Sequence, residues 1–234
     1  MSTRRKLLKS LALAPLALGS VRAWANTTTS LPARDDPDFW EKVRDQYLLA
    51  KDKVFFNPGT VGAMPRIVVE RVNEHMIKLA TDVAEWEYRG DKGWISGYYH
   101  MPEIREKIAQ LIHADAASIA LTDNVTSAMS YIAEGLTLKA GDEIITSNQE
   151  HGGGRSSWIV REKRDGIRYR EFTLGKPIRN EQEVLDTVVS AFRPETRVLV
   201  LSHMITGSGA LLPVKEICAE ARKRGILTVL DGAQ

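Results

Sequence analysis

Apolar positions keep a helical period in some stretches of the chain and run unbroken in others, and the two kinds alternate. Arg66–Ala80 places Val68, Val69, Val72, Met76 and Leu79 on one helical face. Ile104–Ile112 predicts a second amphipathic helix with Ile104, Ile108, Leu111 and Ile112 turned inward. A short run, Ser118–Thr122, leads into Thr126–Leu136, which has helical spacing. Glu143–Ser147 then reads as a strand, Trp158–Arg164 as a helix, Arg168–Phe172 as a strand and Glu181–Phe192 as a helix. Arg197–Ser202 and Ile226–Leu230 are continuous apolar runs expected as buried strands, and Pro213–Lys223 between them is a helix with Pro in its first turn. Buried strands alternating with amphipathic helices predict an α/β fold: a mostly parallel sheet flanked by helices.

The start of the chain follows none of this. Residues 1–25 have a basic head (Arg4, Arg5, Lys6, Lys9), an apolar centre from Leu11 to Leu18, and Ala23-Trp24-Ala25 as a small-x-small cleavage site. The apolar centre is far shorter than the ~20 residues that cross a bilayer, so no membrane span is expected. Arg4-Arg5 and the mildly hydrophobic centre with Pro15 resemble a twin-arginine signal; a general secretory signal that begins with two arginines is the alternative. The twin-arginine reading implies a periplasmic or exported protein that folds in the cytoplasm first and uses the twin-arginine machinery. Residues 26–49 form a polar, Pro-containing lead-in and a first helix, and 50–234 form the body.

Composition changes the picture in two places. The formal charge of +2 belongs to the leader, because the rest of the chain carries 27 basic against 30 acidic residues. A nucleic-acid reader that relies on overall basicity is thereby excluded. At 43% hydrophobic the chain can build a core, and its one cysteine excludes a disulfide framework or a multi-cysteine metal site.

Ligands of open α/β sheets gather at the carboxyl ends of the strands, and three such ends carry polar groups. Thr122–Ala128 follows IALT and opens a helix, where hydroxyl residues can cap and leave N–H groups for an anion. Glu150-His151-Gly152-Gly153-Gly154 follows EIITS. Asp231 and Gln234 follow a core strand, and a carboxylate there is costly without a cation or several donors. The chain stops at this point, with no helix after the strand, which reads as truncation.

Five segments in order, VFFNPGTVGAMP, SIALTDNVTSAM, NQEHGGG, LSHMITGSGALLPVKEI and ILTVLDGAQ, resemble the class V aminotransferases, pyridoxal-phosphate enzymes of fold type I. The first and fourth segments are most similar to the isopenicillin N epimerase-like branch. The resemblance spans about residues 50–234 and implies the N-terminal part of a cofactor-binding large domain. It implies that Thr126 and Ser127 bind the cofactor phosphate through hydroxyl and N–H, and that His151 stacks on the pyridine ring and assists proton movement. Asp231 pairs with the pyridinium nitrogen, Gln234 bonds the ring hydroxyl, and Thr206 falls where many relatives have Asn near that oxygen. Asn57 and the backbone from Gly59 to Gly62 lie near the substrate carboxylate. The physics agrees: only an anion such as Asp keeps the ring nitrogen protonated, so that the ring accepts electrons from a carbanion.

The family's Schiff-base lysine and its small C-terminal domain have no counterpart in these segments, so the chain as given is expected to be inactive. The implied function is aminotransferase or epimerase-like chemistry at the Cα of an amino acid or other amine, in a homodimer. A cysteine desulfurase or lyase of the same family and a non-catalytic exported remnant are the alternatives. Cys218 shares helical spacing with Val214, Ile217 and Ala221 and is expected in the core. His75 and His113 are read as surface residues, His100 as part of an aromatic loop, and His203 as support for the site. Lys215, Lys223 and the basic cluster Arg161–Arg170 are read as solvated. The His151–Gly154 run also occurs in the oxyanion loop of esterases, but no Gly-x-Ser-x-Gly elbow accompanies it. Gly207-x-Gly209 lacks the third glycine of a dinucleotide fingerprint.

Overall fold

The computed structural model describes residues 33–81 and 101–234, which belong to two compact units, Met1–Tyr99 and His100–Gln234. The leader, the start of the lead-in and His100 with the aromatic segment before it lie outside the described residues. In the first unit α1 spans Phe39–Arg44 and α2 spans Arg66–Thr81. Arg44 binds them to the intervening segment by donating to the carbonyls of Ala50 and Lys53, and the Arg66 N–H donates to the Gln46 carbonyl. The apolar stripe of α2 forms as its spacing predicts, but it is uncovered: Val68, Val72, Met76 and Leu79 are all exposed, Met76 at 62%.

The second unit runs α3 (Pro102–Ile112), a 3-10 turn at Ala116–Ser118, α4 (Val125–Gly135), β1 (Glu143–Ser147), α5 (Gly152–Asp165), β2 (Arg168–Phe172), α6 (Glu181–Ala191), β3 (Thr196–Ser202), α7 (Val214–Lys223) and β4 (Leu227–Asp231). The strands form one sheet in the order β2-β1-β3-β4, every pair parallel. Because successive side chains of a strand point to opposite faces, the apolar strands feed two cores. Ile144, Val198, Val200 and Val229 pack with Met129 and Ala133 of α4 and with the fully buried Trp158 of α5. Ile145, Leu199 and Leu201 pack with Val184 and Val188 of α6 and with Ile217 and Ala221 of α7. Each such side chain contributes about 1.5–3 kcal/mol when fully buried. The sheet is thus parallel and covered on both faces, as expected.

Five expectations need correction. The run Ser118–Thr122 forms no strand among the described residues: Ser118 ends the 3-10 turn, and Ile119 after it is extended. In α3 only Ala109 is buried, while Ile104, Leu111 and Ile112 are exposed, Leu111 at 79%. The helix expected at Trp158 begins six residues earlier, at Gly152. The basic cluster is not all solvated: Arg161 is buried and donates to the Ala133 and Leu136 carbonyls at the end of α4, and Arg170 forms a two-point pair with the buried Glu143. Cys218 is half-buried beside the core stripe of α7 and not part of it.

Candidate active site

The carboxyl ends of the strands and the starts of α4 and α5 meet on one side of the sheet. Asn124 caps α4, its Oδ1 accepting the Ser127 N–H at 2.8 Å. This cap is a side chain that the sequence reading passed over, and it occupies the Ser127 N–H that was expected to face an anion. The N–H groups of Val125 and Thr126 remain at the free end of the helix, beside the exposed Thr126 side chain. Among the described residues the Thr126 hydroxyl has no hydrogen-bond partner.

His151 caps α5 with its ring: Nδ1 accepts the Gly153 N–H at 3.1 Å. With Nδ1 used as an acceptor, the neutral ring carries its proton on Nε2. Gly153 lies where the two helix starts touch. A Cβ there would stand 2.5 Å from Thr126 Oγ1 and 3.3 Å from His151 Nδ1. A Cβ on Gly154 would stand 3.6 Å from Asp231 Oδ2. The first turn of α5 therefore lies against Thr126 on one side and Asp231 on the other.

Asp231 ends β4 and is 8% exposed. Its Oδ1 accepts the Ala233 N–H at 3.0 Å, while Oδ2 receives no donor among the described residues. A carboxylate oxygen without a donor in a largely buried residue is a place for a cationic N–H. Below it lies Glu150, also 8% exposed, to which the sequence reading gave no role. It stands three residues past the end of β1, whereas Asp231 is the last residue of β4.

The other expected residues stand differently. No hydrogen bond joins Thr206, in the exposed turn after β3, or the exposed Gln234 to Thr126, His151 or Asp231 among the described residues. The His203 N–H donates to the Asp231 carbonyl at 2.9 Å. In the first unit Asn57 and Gly59 open a turn in which the Thr60 hydroxyl donates to Asn57 Oδ1 at 2.9 Å. His75 and His113 are exposed, as are Lys215 and Lys223. No cluster of three or more metal-ligating side chains occurs among the described residues.

Comparison with known proteins gives this geometry a family. The aminotransferase class V family model matches residues 54–234. Isopenicillin N epimerase of Streptomyces clavuligerus is 35% identical over 194 residues, covering 83% of this chain and 47% of that protein. A probable cysteine desulfurase of Xylella fastidiosa (strain 9a5c) is 27% identical over 227 residues, covering 89% of this chain and 50% of that protein. The chain thus spans about half the length of the curated relatives it matches. Among solved structures, a lysine-to-alanine mutant of C-DES with glycine covalently linked to its PLP cofactor superposes with a TM-score of 0.68. It is 26% identical and covers 82% of this chain and 49% of the other. The cystine C-S lyase C-DES with its product cysteine persulfide gives 0.66 at 26% identity, covering 79% and 48%.

Among the described residues, a phosphate and a protonated ring nitrogen fit what is present: a helix end with an unpartnered hydroxyl, a glycine where a Cβ would intrude, and a carboxylate oxygen without a donor. The chain belongs to the class V aminotransferase family, and pyridoxal phosphate is its expected cofactor.

Proposed function

We propose that the protein is a pyridoxal-phosphate enzyme acting at the Cα of an amino acid or related amine, by aminotransferase or epimerase-like chemistry. The observation that carries this reading is the meeting of Thr126, His151 and Asp231 around Gly153 and Gly154 at the carboxyl ends of the strands. When bound, the cofactor supplies a sink for negative charge developing on the substrate Cα. The α4 end, with the N–H groups of Val125 and Thr126 and the hydroxyls of Thr126 and Ser127, would hold the phosphate. Asp231 Oδ2 would hold the proton of the ring nitrogen. His151, steadied at Nδ1, would orient the ring and move a proton at Nε2. By family resemblance Gln234 and Thr206 would address the ring hydroxyl, and Asn57 and Gly59 the substrate carboxylate. The 35% identity to an isopenicillin N epimerase supports the epimerase-like side.

The desulfurase relatives and the C-S lyase neighbour support a second reading, desulfurase or lyase chemistry on the same cofactor. Homodimerisation belongs to the same proposal. Purified protein incubated with pyridoxal phosphate and gel-filtered is expected to retain it, and Asp231→Asn to weaken its binding by about tenfold or more, as loss of a charge-assisted bond predicts. A protein that retains no cofactor overturns the reading. In full-length protein that supplies the Schiff-base lysine, deuterium wash-in at Cα across a panel of amino acids, set against sulfide release from cysteine, separates the two activities.

A further inference from the structure

Glu150 is a buried carboxylate for which the cofactor reading has no use. Its Oε1 accepts the Ser147 hydroxyl at 2.6 Å, at the end of β1. Its Oε2 accepts both the N–H and the hydroxyl of Ser202, at 2.7 and 2.6 Å, at the end of β3. Both oxygens are satisfied, and the donors come from two neighbouring strands. Ser202 faces Asp231 across the register of β3 and β4, and His203 beside it donates to the Asp231 carbonyl. On the other side, Glu150 is followed directly by His151, the cap of α5. One side chain therefore ties together the backbone that carries the two groups facing the cofactor.

This arrangement is not the stable choice. Burial pushes the Glu150 carboxyl up, the bonds from Ser147 and Ser202 pull it down, and the charge of Asp231 raises it again, leaving it above the usual carboxylate range. An apolar pair at these strand ends would avoid that cost. A costly group kept beneath a site is a candidate for setting the site's geometry.

We propose that Glu150 is a positioning residue: by bolting the ends of β1 and β3 together it sets where His151 and Asp231 stand, and with them the fit of the pyridoxal phosphate ring. The inference rests on the cofactor reading. Its test compares the wild-type protein with Glu150→Gln, Glu150→Leu and Ser202→Ala. Three quantities are read: pyridoxal phosphate affinity, the circular dichroism induced in its visible band, and competition by inorganic phosphate. Gln keeps an acceptor for Ser202 and reverses the Ser147 bond, so affinity should hold within about threefold, whereas Leu should lose about tenfold or more. Leu should also change the induced dichroism while leaving inorganic phosphate competition unaltered, because phosphate alone engages only α4 and Thr126. If the Leu variant does not fold, Ser202→Ala removes one donor and should show the same pattern at about threefold.

Equal losses for pyridoxal phosphate and inorganic phosphate would reveal a general structural role and overturn the proposal. Unchanged affinity and dichroism in the folded variants would overturn it too, while leaving the cofactor reading intact. A wild-type protein that binds no pyridoxal phosphate removes both.

Discussion

Gly153 shows how one atom constrains the site. A methyl group there would overlap Thr126 Oγ1, so the Thr126 side chain or the start of a helix would have to shift. Gly153→Ala should push the starts of α4 and α5 apart and cost about 1–3 kcal/mol in urea unfolding. Gly152→Ala meets open space and should be neutral or stabilising by up to ~1 kcal/mol, since alanine favours the helix. In a Thr126→Ala background the Gly153→Ala loss should shrink, because the overlapped atom is gone. At this scale Thr126, His151 and Asp231 could be found from sequence, as each stands directly after a strand or at a helix start. Glu150 was hidden because its meaning lies in a partner 52 positions away, Ser202.

Among the elements, α5 departs furthest from its sequence pattern. Three consecutive glycines disfavour a helix, yet it begins at the first of them. The His151 ring satisfies an N–H of the first turn, and Trp158 and Gly154 are buried in the packed structure, so tertiary contacts outweigh propensity. At its other end Gly166 stops the helix in left-handed backbone, with φ of 73°. Arg161 joins α5 to α4: its guanidinium fills the role of a C-cap for the neighbouring helix and also pairs with Asp165 at 2.7 Å. Arg161→Ala should cost about 2–4 kcal/mol by leaving these carbonyls and Asp165 without their buried donor. Arg161→Lys should recover little, since an ammonium cannot reach both helices and the aspartate with one planar group. Thermal unfolding of the two variants checks both statements.

For the whole molecule, the amino ends of the strands carry an ionic knot opposite the site. Burial pushes Glu143 up, but Arg170, the Thr196 hydroxyl and the charges of Arg170 and Arg193 outweigh it and hold its carboxyl below the usual glutamate range. A carboxyl lowered by folding adds stability above its unfolded value, and that stability is lost as pH falls through the folded value. Urea midpoints should therefore drop as pH falls below the ordinary glutamate range, and Glu143→Gln should flatten that dependence. Glu150 has the opposite sign: its raised carboxyl favours the fold at low pH and less so as pH rises. If residues 1–25 are a twin-arginine export leader, Arg4→Lys with Arg5→Lys keeps the charge but should stop export. Undiminished export would instead point to the general secretory route.

The sequence by itself determined the α/β class, the parallel sheet and the strands to within about a residue, because buried strands between amphipathic helices leave few other packings. Ordered motifs also marked the family and pointed to the strand-end residues proposed for the site. Only the tertiary structure decided which apolar faces are covered: α2 and α3 carry clear stripes, yet most of their large side chains stay exposed. Periodicity records which side of a helix is apolar, not what lies against it. Only the tertiary structure, too, joined Glu150 to Ser202 and placed Gly153 against Thr126. Such contacts link residues distant in the chain, and their energies depend on distances that no local pattern encodes.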